Sequence, residues 1–548
     1  MVLCCKRSIE KNVKNQYHKI QDMKFLATVC LLFVTINLSA QKNYWQQEVK
    51  YTISAELNDK ENSITASEKI VYKNNAPAAL NFIWFHIWPN AYSSDSTALI
   101  QQIKTDSSRK KKLETFTKGN IEGLAFTVNG KPAATEPHSN PQYIDIIKVL
   151  LDKPLQPGDS VIIETPFKVK LPSYFSRSGF ADGEFMVCQW YPKPAVFDKN
   201  GWHEFPYLDM GEFYSEYASF NVNITLPGNY VVGATGTLNT AAELEAYKKI
   251  GTKNTADRKG KPALYTATTT DKKTLNYTID NAVDFAWFAD KNFVIQYDTV
   301  QLENGKTIDA FSYYHNKRNT LWSNSIDYVK SAVKSYSNYI GEYDYPVVQA
   351  VEGPKNNASG GMEYPTITLI TSPDAKAETL DVVIAHEVGH NWFMAMLGSC
   401  ERDHAWMDEG LNTYFQFYYE ADKYRGNEVF GDKIPSDVKK LPLENFLNAV
   451  YTTLYKAIEI EPAMETTALD FKNSEDYGMA SYLKPAMWMY LLEQEIGFEK
   501  MKACFHNYFK KWKFKHPQPE DLKAAFEETL GSSLDKYFSL INKKGKLE

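Results

Sequence analysis

One short run limits this chain more than any other. His386-Glu387-Val388-Gly389-His390 is followed, after eighteen intervening residues, by Glu409. On a helix, positions i and i+4 share a face, so both imidazoles can point at one metal ion. Glu387 projects from the edge of that face, where it can take a proton from an attacking water. A catalytic zinc takes three protein ligands and keeps one position open, and Glu409 is the natural third ligand. The plainer alternative is an amphipathic helix with two unrelated histidines. With 10 His in the chain, the H-E-x-x-H pattern arises by chance about once in 100 such sequences, and the spaced glutamate makes it rarer, roughly one in 1000. The flanks decide between the two. Val382 to Ala385 precede the motif and Trp392 to Leu397 follow it. A helix that is apolar nearly all round is buried. Two histidines and a glutamate inside it need partners, and a metal supplies them.

At 548 residues the chain is long enough for two or more domains. Hydrophobic residues make up 43% and charged residues 23%, an ordinary globular balance. Met23-Lys24 opens a short apolar run, Phe25 to Val34, which ends near Ser39-Ala40-Gln41. That pattern predicts a signal peptide over 23–40, too short to span a bilayer, and an exported protein, periplasmic or extracellular. Residues 1–22 are polar and stand in front of it, as in an over-extended start. No stable membrane span is expected after removal of the leader. Taking away the 6 basic and 2 acidic residues of 1–40 leaves 55 basic against 65 acidic, a net charge of −10, which argues against nucleic acid as a partner. Three cysteines then remain: Cys188, Cys400 and Cys504. They have no zinc-ribbon spacing, and one disulfide at most is open to them.

The expected fold class is α+β and multidomain. From Tyr44 to about Ile308 the pattern is β. Val49, Tyr51, Ile53, Ala55 and Leu57 alternate with polar residues, as do Phe220, Val222, Ile224 and Leu226. Period-two alternation marks strands with one buried face. Residues 241–273, rich in Lys, Thr and Ala, read as a long exposed excursion. After His315 the period changes: Val329, Val333, Tyr336 and Ile340 have helical spacing. From there the chain reads as mostly helical, with one strand-like interruption around 359–371. The division predicts an N-terminal β domain over 41–316 and a catalytic domain over 317–548.

Four elements in this order resemble the gluzincin aminopeptidases, the family of aminopeptidase N and the leukotriene-type epoxide hydrolase-aminopeptidase. They are Gly360-Gly361-Met362-Glu363, the histidine motif, Trp406-Met407-Asp408-Glu409-Gly410, and Tyr482-Leu483-Lys484-Pro485. The resemblance covers most of residues 44–540. It implies a saddle-like β domain followed by a thermolysin-like, mostly helical zinc metallopeptidase domain. It also implies one zinc per chain on His386, His390 and Glu409, with Glu387 as base and Tyr482 donating to the oxyanion. Glu363 would pair with the free α-amino group of a peptide, and Gly360, Gly361 and Met362 would border the peptide as an added strand. Two departures stand out: Tyr364 where the family usually has Asn, and Pro485 where it usually has Gly. The chain also ends soon after its catalytic half, so a more open site is expected. Other readings stay open here: a thermolysin-type endopeptidase on the same zinc, or a non-catalytic peptide-binding protein, although a binder has no need of Glu387. Side-chain preference and oligomeric state are not legible. Tyr477 is as well explained by packing as by a site role.

Overall fold

The long alternating segments pair with one another. A computed structural model describes residues 44–547 apart from 115, 267–270, 316–319, 356–359, 431–432, 458 and 460. The expected start segment and leader, 1–40, lie outside the described residues. Strands β1 (Glu48–Asn58), β2 (Ser63–Lys73), β3 (Ser160–Lys170), β4 (Ala218–Pro227) and β5 (Lys272–Ala282) form the body of a large sheet in the order β5-β4-β1-β2-β3. β1 and β4 run parallel and the other pairs antiparallel. The β1–β2 turn is fixed locally: the Asn58 side chain accepts from the backbone N–H groups of Lys60 and Glu61 at 3.2 Å, the asparagine habit that favours turns. The alternating residues of β1 and β4 are buried as their period requires. Tyr51 and Phe220 face each other in register, with rings stacked 4.7 Å apart.

A second sheet carries the site. It comprises β6 (Val294–Gln301), β7 (Thr307–Tyr314), β8 (Val347–Glu352), β9 (Gly361–Met362) and β10 (Ile367–Ile370), in the order β6-β7-β8-β10-β9. β7, β8 and β10 are parallel neighbours, and β9 is an antiparallel edge. Two of its strands precede residue 316, so this sheet continues across the junction drawn from the sequence. β8 was not legible in the sequence. All six of its residues are buried, and a strand covered on both faces has no alternation to read. Residues 241–273 also differ from expectation. Helix α1 (Ala241–Ala256) forms there, held by Tyr247, whose hydroxyl accepts from the Val232 N–H at 2.9 Å. Asn254 donates to the Ile295 carbonyl at 2.8 Å. A few anchoring side chains suffice, and the Lys- and Thr-rich remainder hides them.

The helices that bear the site are α2 (Ser325–Tyr339), α3 (Ala377–Gly389), α4 (Glu409–Tyr424) and α5 (Lys484–Ile496). α2 buries Val329, Val333 and Tyr336 as their spacing predicts. α3 stops at Gly389 and does not run on through the apolar stretch to Leu397. Its last turn is closed by the N–H of His390 on the His386 carbonyl, and Met394 takes a left-handed φ of 75°. Trp392 to Leu397 are buried as turns, since burial demands apolarity and not helix. Residues 47–197 and 202–548 form one compact unit, so the β-rich half and the helical half meet directly. Cys188, Cys400 and Cys504 are all buried and unbridged.

Candidate metal and active site

His386 and His390 leave the last turn of α3 on one face, and Glu409 opens α4 opposite them. The Nε2 atoms of the two histidines lie 3.1 Å apart, and each is 3.2 Å from Glu409 Oε2. The far side of each ring is committed. His386 Nδ1 is 2.7 Å from Gln416 Oε1, and the amide is oriented because its Nε2 donates to Glu420 Oε1 at 2.6 Å. His390 Nδ1 is 2.5 Å from Asp408 Oδ1. With protons on both Nδ1 atoms, three lone pairs converge and nothing donates to them. A tetrahedral zinc with bonds of about 2.0–2.1 Å has ligand-to-ligand edges of roughly 3.3 Å, so the donor set fits that ion. The surrounding charge favours a cation at this corner. Burial works against a charged His390, yet Asp408 and Glu409 raise its pKa well above the imidazole value. Burial likewise opposes ionisation of Glu409, but the two histidines hold it far below the usual carboxylate range. Carboxylate-to-histidine-to-metal chains of this kind set ring orientation and ligand basicity.

Gly389 makes the motif packable. A Cβ there would sit 2.1 Å from Asn412 Oδ1 and 2.4 Å from the Tyr336 ring. Those groups need the space: Tyr336 donates to Asn412 at 2.8 Å, and Asn412 donates to the His386 carbonyl at 2.8 Å. Glu387 lies against β9. A Cβ on Gly361 would fall 2.4 Å from the Glu387 carboxyl. Burial pushes the Glu387 carboxyl up to about 7, with Glu409 and Glu212 adding to the rise and His386 and His390 opposing it. A base near neutrality is suited to proton transfer.

Beside it, Met362 pairs with Leu369 in the sheet, and Glu363 follows at the end of β9. Glu363 is 5% exposed, and its Oε1 meets no hydrogen-bond partner. The sequence suggests an ionised carboxylate here. Burial instead raises its pKa well above the ordinary value, and Glu212, Glu387 and Glu409 add to this against the pull of His390. A cation brought beside it would favour the charged form.

Tyr482 sits on a π-helical turn, Met479–Leu483. Its ring stacks on His386 at 6.0 Å, and its hydroxyl donates to Glu409 Oε1. Tyr477 donates to Glu401 Oε1 at 2.9 Å and meets Tyr482 edge-on. Pro485 follows directly on that π turn, at the second position of α5, where its missing N–H withdraws one bond from the continuing helix. Lys484 is structural, donating to the carbonyls of Pro462 and Lys543.

All nine residues expected from the sequence (Gly360, Gly361, Met362, Glu363, His386, Glu387, His390, Glu409 and Tyr482) line one cavity of about 990 Å³. The β-rich half adds residues that sequence reasoning missed. Arg177 and Glu212 also line it. Arg177 grips Glu212 through Nε at 3.0 Å and through Nη2, and donates to the carbonyls of Leu208 and Asp209 at 3.3 Å. No motif marks them, because the fold brings them across about 150 residues of chain.

Residues 325–540 match the family described as peptidase family M1 domain. Glutamyl aminopeptidase of Bos taurus is 25% identical over 246 residues, 43% of this chain and 25% of its own length. Leucine aminopeptidase 2 of Yarrowia lipolytica is 25% identical over 189 residues, 33% of this chain and 28% of its own. The chain thus spans only about a quarter of the length of these relatives. The M1 zinc metallopeptidase of Deinococcus radiodurans superposes with a TM-score of 0.59 at 14% identity, over 92% of this chain and 95% of that one. Aminopeptidase A of Legionella pneumophila, in complex with aspartic acid, gives 0.61 at 14% identity, over 92% and 50%. The likeness to the solved structures establishes the fold.

Proposed function

We propose that this chain, whose residues 325–540 match the peptidase family M1 domain, is an exported zinc aminopeptidase that removes residues from the free N-terminus of peptides. One observation carries this reading: three lone pairs converge at 3.1–3.2 Å beside a buried carboxyl poised near neutrality. His386, His390 and Glu409 would hold one zinc per chain. Bound there, zinc polarises the scissile carbonyl and acidifies the attacking water. Glu387, seated on Gly361, accepts the proton of that water and delivers it to the leaving nitrogen. Tyr482 turns its hydrogen bond from Glu409 to the developing oxyanion. Glu363, with Glu212 beside it, takes the substrate ammonium, a charge-assisted contact that fixes which peptide bond is cut. Gly360, Gly361 and Met362 border the peptide along the sheet edge.

The test is a panel of free and N-acetylated aminoacyl substrates, with and without chelator, alongside metal analysis. Chelator-sensitive cleavage of free-amino substrates alone, with one zinc per chain, is the expected result. Efficient cleavage of N-blocked peptides at internal bonds would overturn it in favour of an endopeptidase. No helix among the described residues is long and apolar enough to cross a membrane. Export rests on the leader pattern alone, and N-terminal sequencing of the secreted protein should begin near Gln41.

A further inference from the structure

Tyr364 directly follows Glu363, and Phe213 directly follows Glu212. The two carboxylates line the cavity from different halves of the chain, and the two aromatic rings lie buried behind them. Those rings stack, with centroids 6.2 Å apart and planes within 10°. Phe213 is also one wall of a cage around the Lys193 ammonium, 5.3 Å from it, with Tyr191 at 4.8 Å and Trp88 at 4.9 Å. Lys193 is 1% exposed and pairs with Asp284 Oδ1 at 2.6 Å. The same oxygen accepts from the Tyr191 hydroxyl and the Phe285 N–H. On its other side Tyr364 meets the ring of Phe288 at 6.0 Å. Its hydroxyl lies 3.5 Å from Gln189 Oε1 and also meets the buried Cys188 thiol.

We propose that the Tyr364–Phe213 stack is a positioning device. It sets Glu363 and Glu212 relative to each other across the joint between the two halves, with caged Lys193 as its anchor, so that an N-terminal ammonium meets a preset pair. Flat rings with two rotatable bonds each lose little freedom on stacking and resist sliding once packed. An Asn at 364 could not make this contact. The inference rests on the aminopeptidase reading above and extends it to residues that touch no substrate.

The experiment uses zinc-loaded enzyme and the variants Tyr364→Leu, Phe213→Leu and Tyr364→Phe. Calorimetry measures binding of L-leucinamide and of N-acetyl-L-leucinamide; kcat and KM are read on L-leucine 4-nitroanilide. The two leucine variants should bind the free-amino ligand about tenfold more weakly, with KM raised alike, kcat within about twofold and zinc content unchanged. Tyr364→Phe keeps the ring and should restore both constants. Thermal unfolding identifies a variant that fails to fold, and the other leucine variant then carries the test. The proposal is overturned if a folded leucine variant binds the free amine like the parent, or loses both ligands equally. It is also overturned if Tyr364→Phe is as impaired as Tyr364→Leu, which would place the effect in the hydroxyl. A parent enzyme that does not distinguish free from acetylated ligand sinks the aminopeptidase reading itself and this proposal with it, and that result is read without any variant.

Discussion

His390 and Glu363 are both almost fully buried ionisable groups in the same cavity, yet their surroundings treat them in opposite ways. His390 has Asp408 behind it and Glu409 in front. His386 is likewise backed by Gln416, which is fixed in turn by Glu420. Glu363 has an oxygen that no hydrogen-bond donor reaches. On the proposed reading, the first corner is finished around a cation that stays, and the second is left incomplete for one that would arrive and leave with each turnover. A buried polar atom without a partner costs about 1–3 kcal/mol, so the amine corner trades stability for an unfilled demand.

The widest gap between the corners should appear when a ligand is removed outright. Glu409→Ala or His390→Ala should lose zinc and all measurable turnover together, because each takes one of three protein ligands. Full zinc occupancy in Glu409→Ala would show that the corner is built from another residue. Glu387→Gln separates the metal from the chemistry. It should retain zinc and fold while kcat falls about a thousandfold, within the range for a lost general base. Glu363→Ala probes the other corner. It should cost on the order of 2–4 kcal/mol in kcat/KM on free-amino substrates, with zinc untouched. If that variant also lost metal, the two corners would be one unit. Gln416→Leu should lie between them, lowering zinc affinity about 10- to 100-fold in a chelator competition while leaving the three ligands in place.

A residue outside the cavity supplies a control. Asp145 is as buried as Glu363 but stands away from the cavity, and burial raises its carboxyl to about 7 despite the Tyr207 N–H that it accepts. Its folded pKa lies above its unfolded one. Its contribution to stability is therefore fully present below about pH 4 and is lost as the pH rises to about 7. Asp145→Asn keeps an acceptor for Tyr207 and cannot ionise. It should gain on the parent over that window, by at most ~4 kcal/mol, in melting curves taken at several pH values. A difference that does not change with pH would mean Asp145 is not neutral in the fold.

The metal corner was legible in the sequence because one helix fixes the spacing of His386, Glu387 and His390, and a short chain path brings Glu409 back to them. The strands of the large sheet were legible because each has one wet face. β8 was not, having no wet face, and neither was α1, whose anchoring residues Tyr247 and Asn254 are few among lysines and threonines. Arg177 and Glu212 were invisible for another reason. They acquire a role only when the β-rich half closes on the helical half, and local pattern holds no record of that meeting. Tyr482 was expected beside the histidines and lines the same cavity, but its hydrogen bond to Glu409 was not legible.

Gly360 and Gly361 look interchangeable on paper, and the fold makes them opposites. An added methyl at 360 finds its nearest neighbour, Val383, at 3.7 Å, whereas one at 361 collides with the Glu387 carboxyl. In a saturation scan scored by growth on a peptide nitrogen source, the first position should tolerate alanine while the second tolerates nothing. A lineage could drift at one codon and remain frozen at the next.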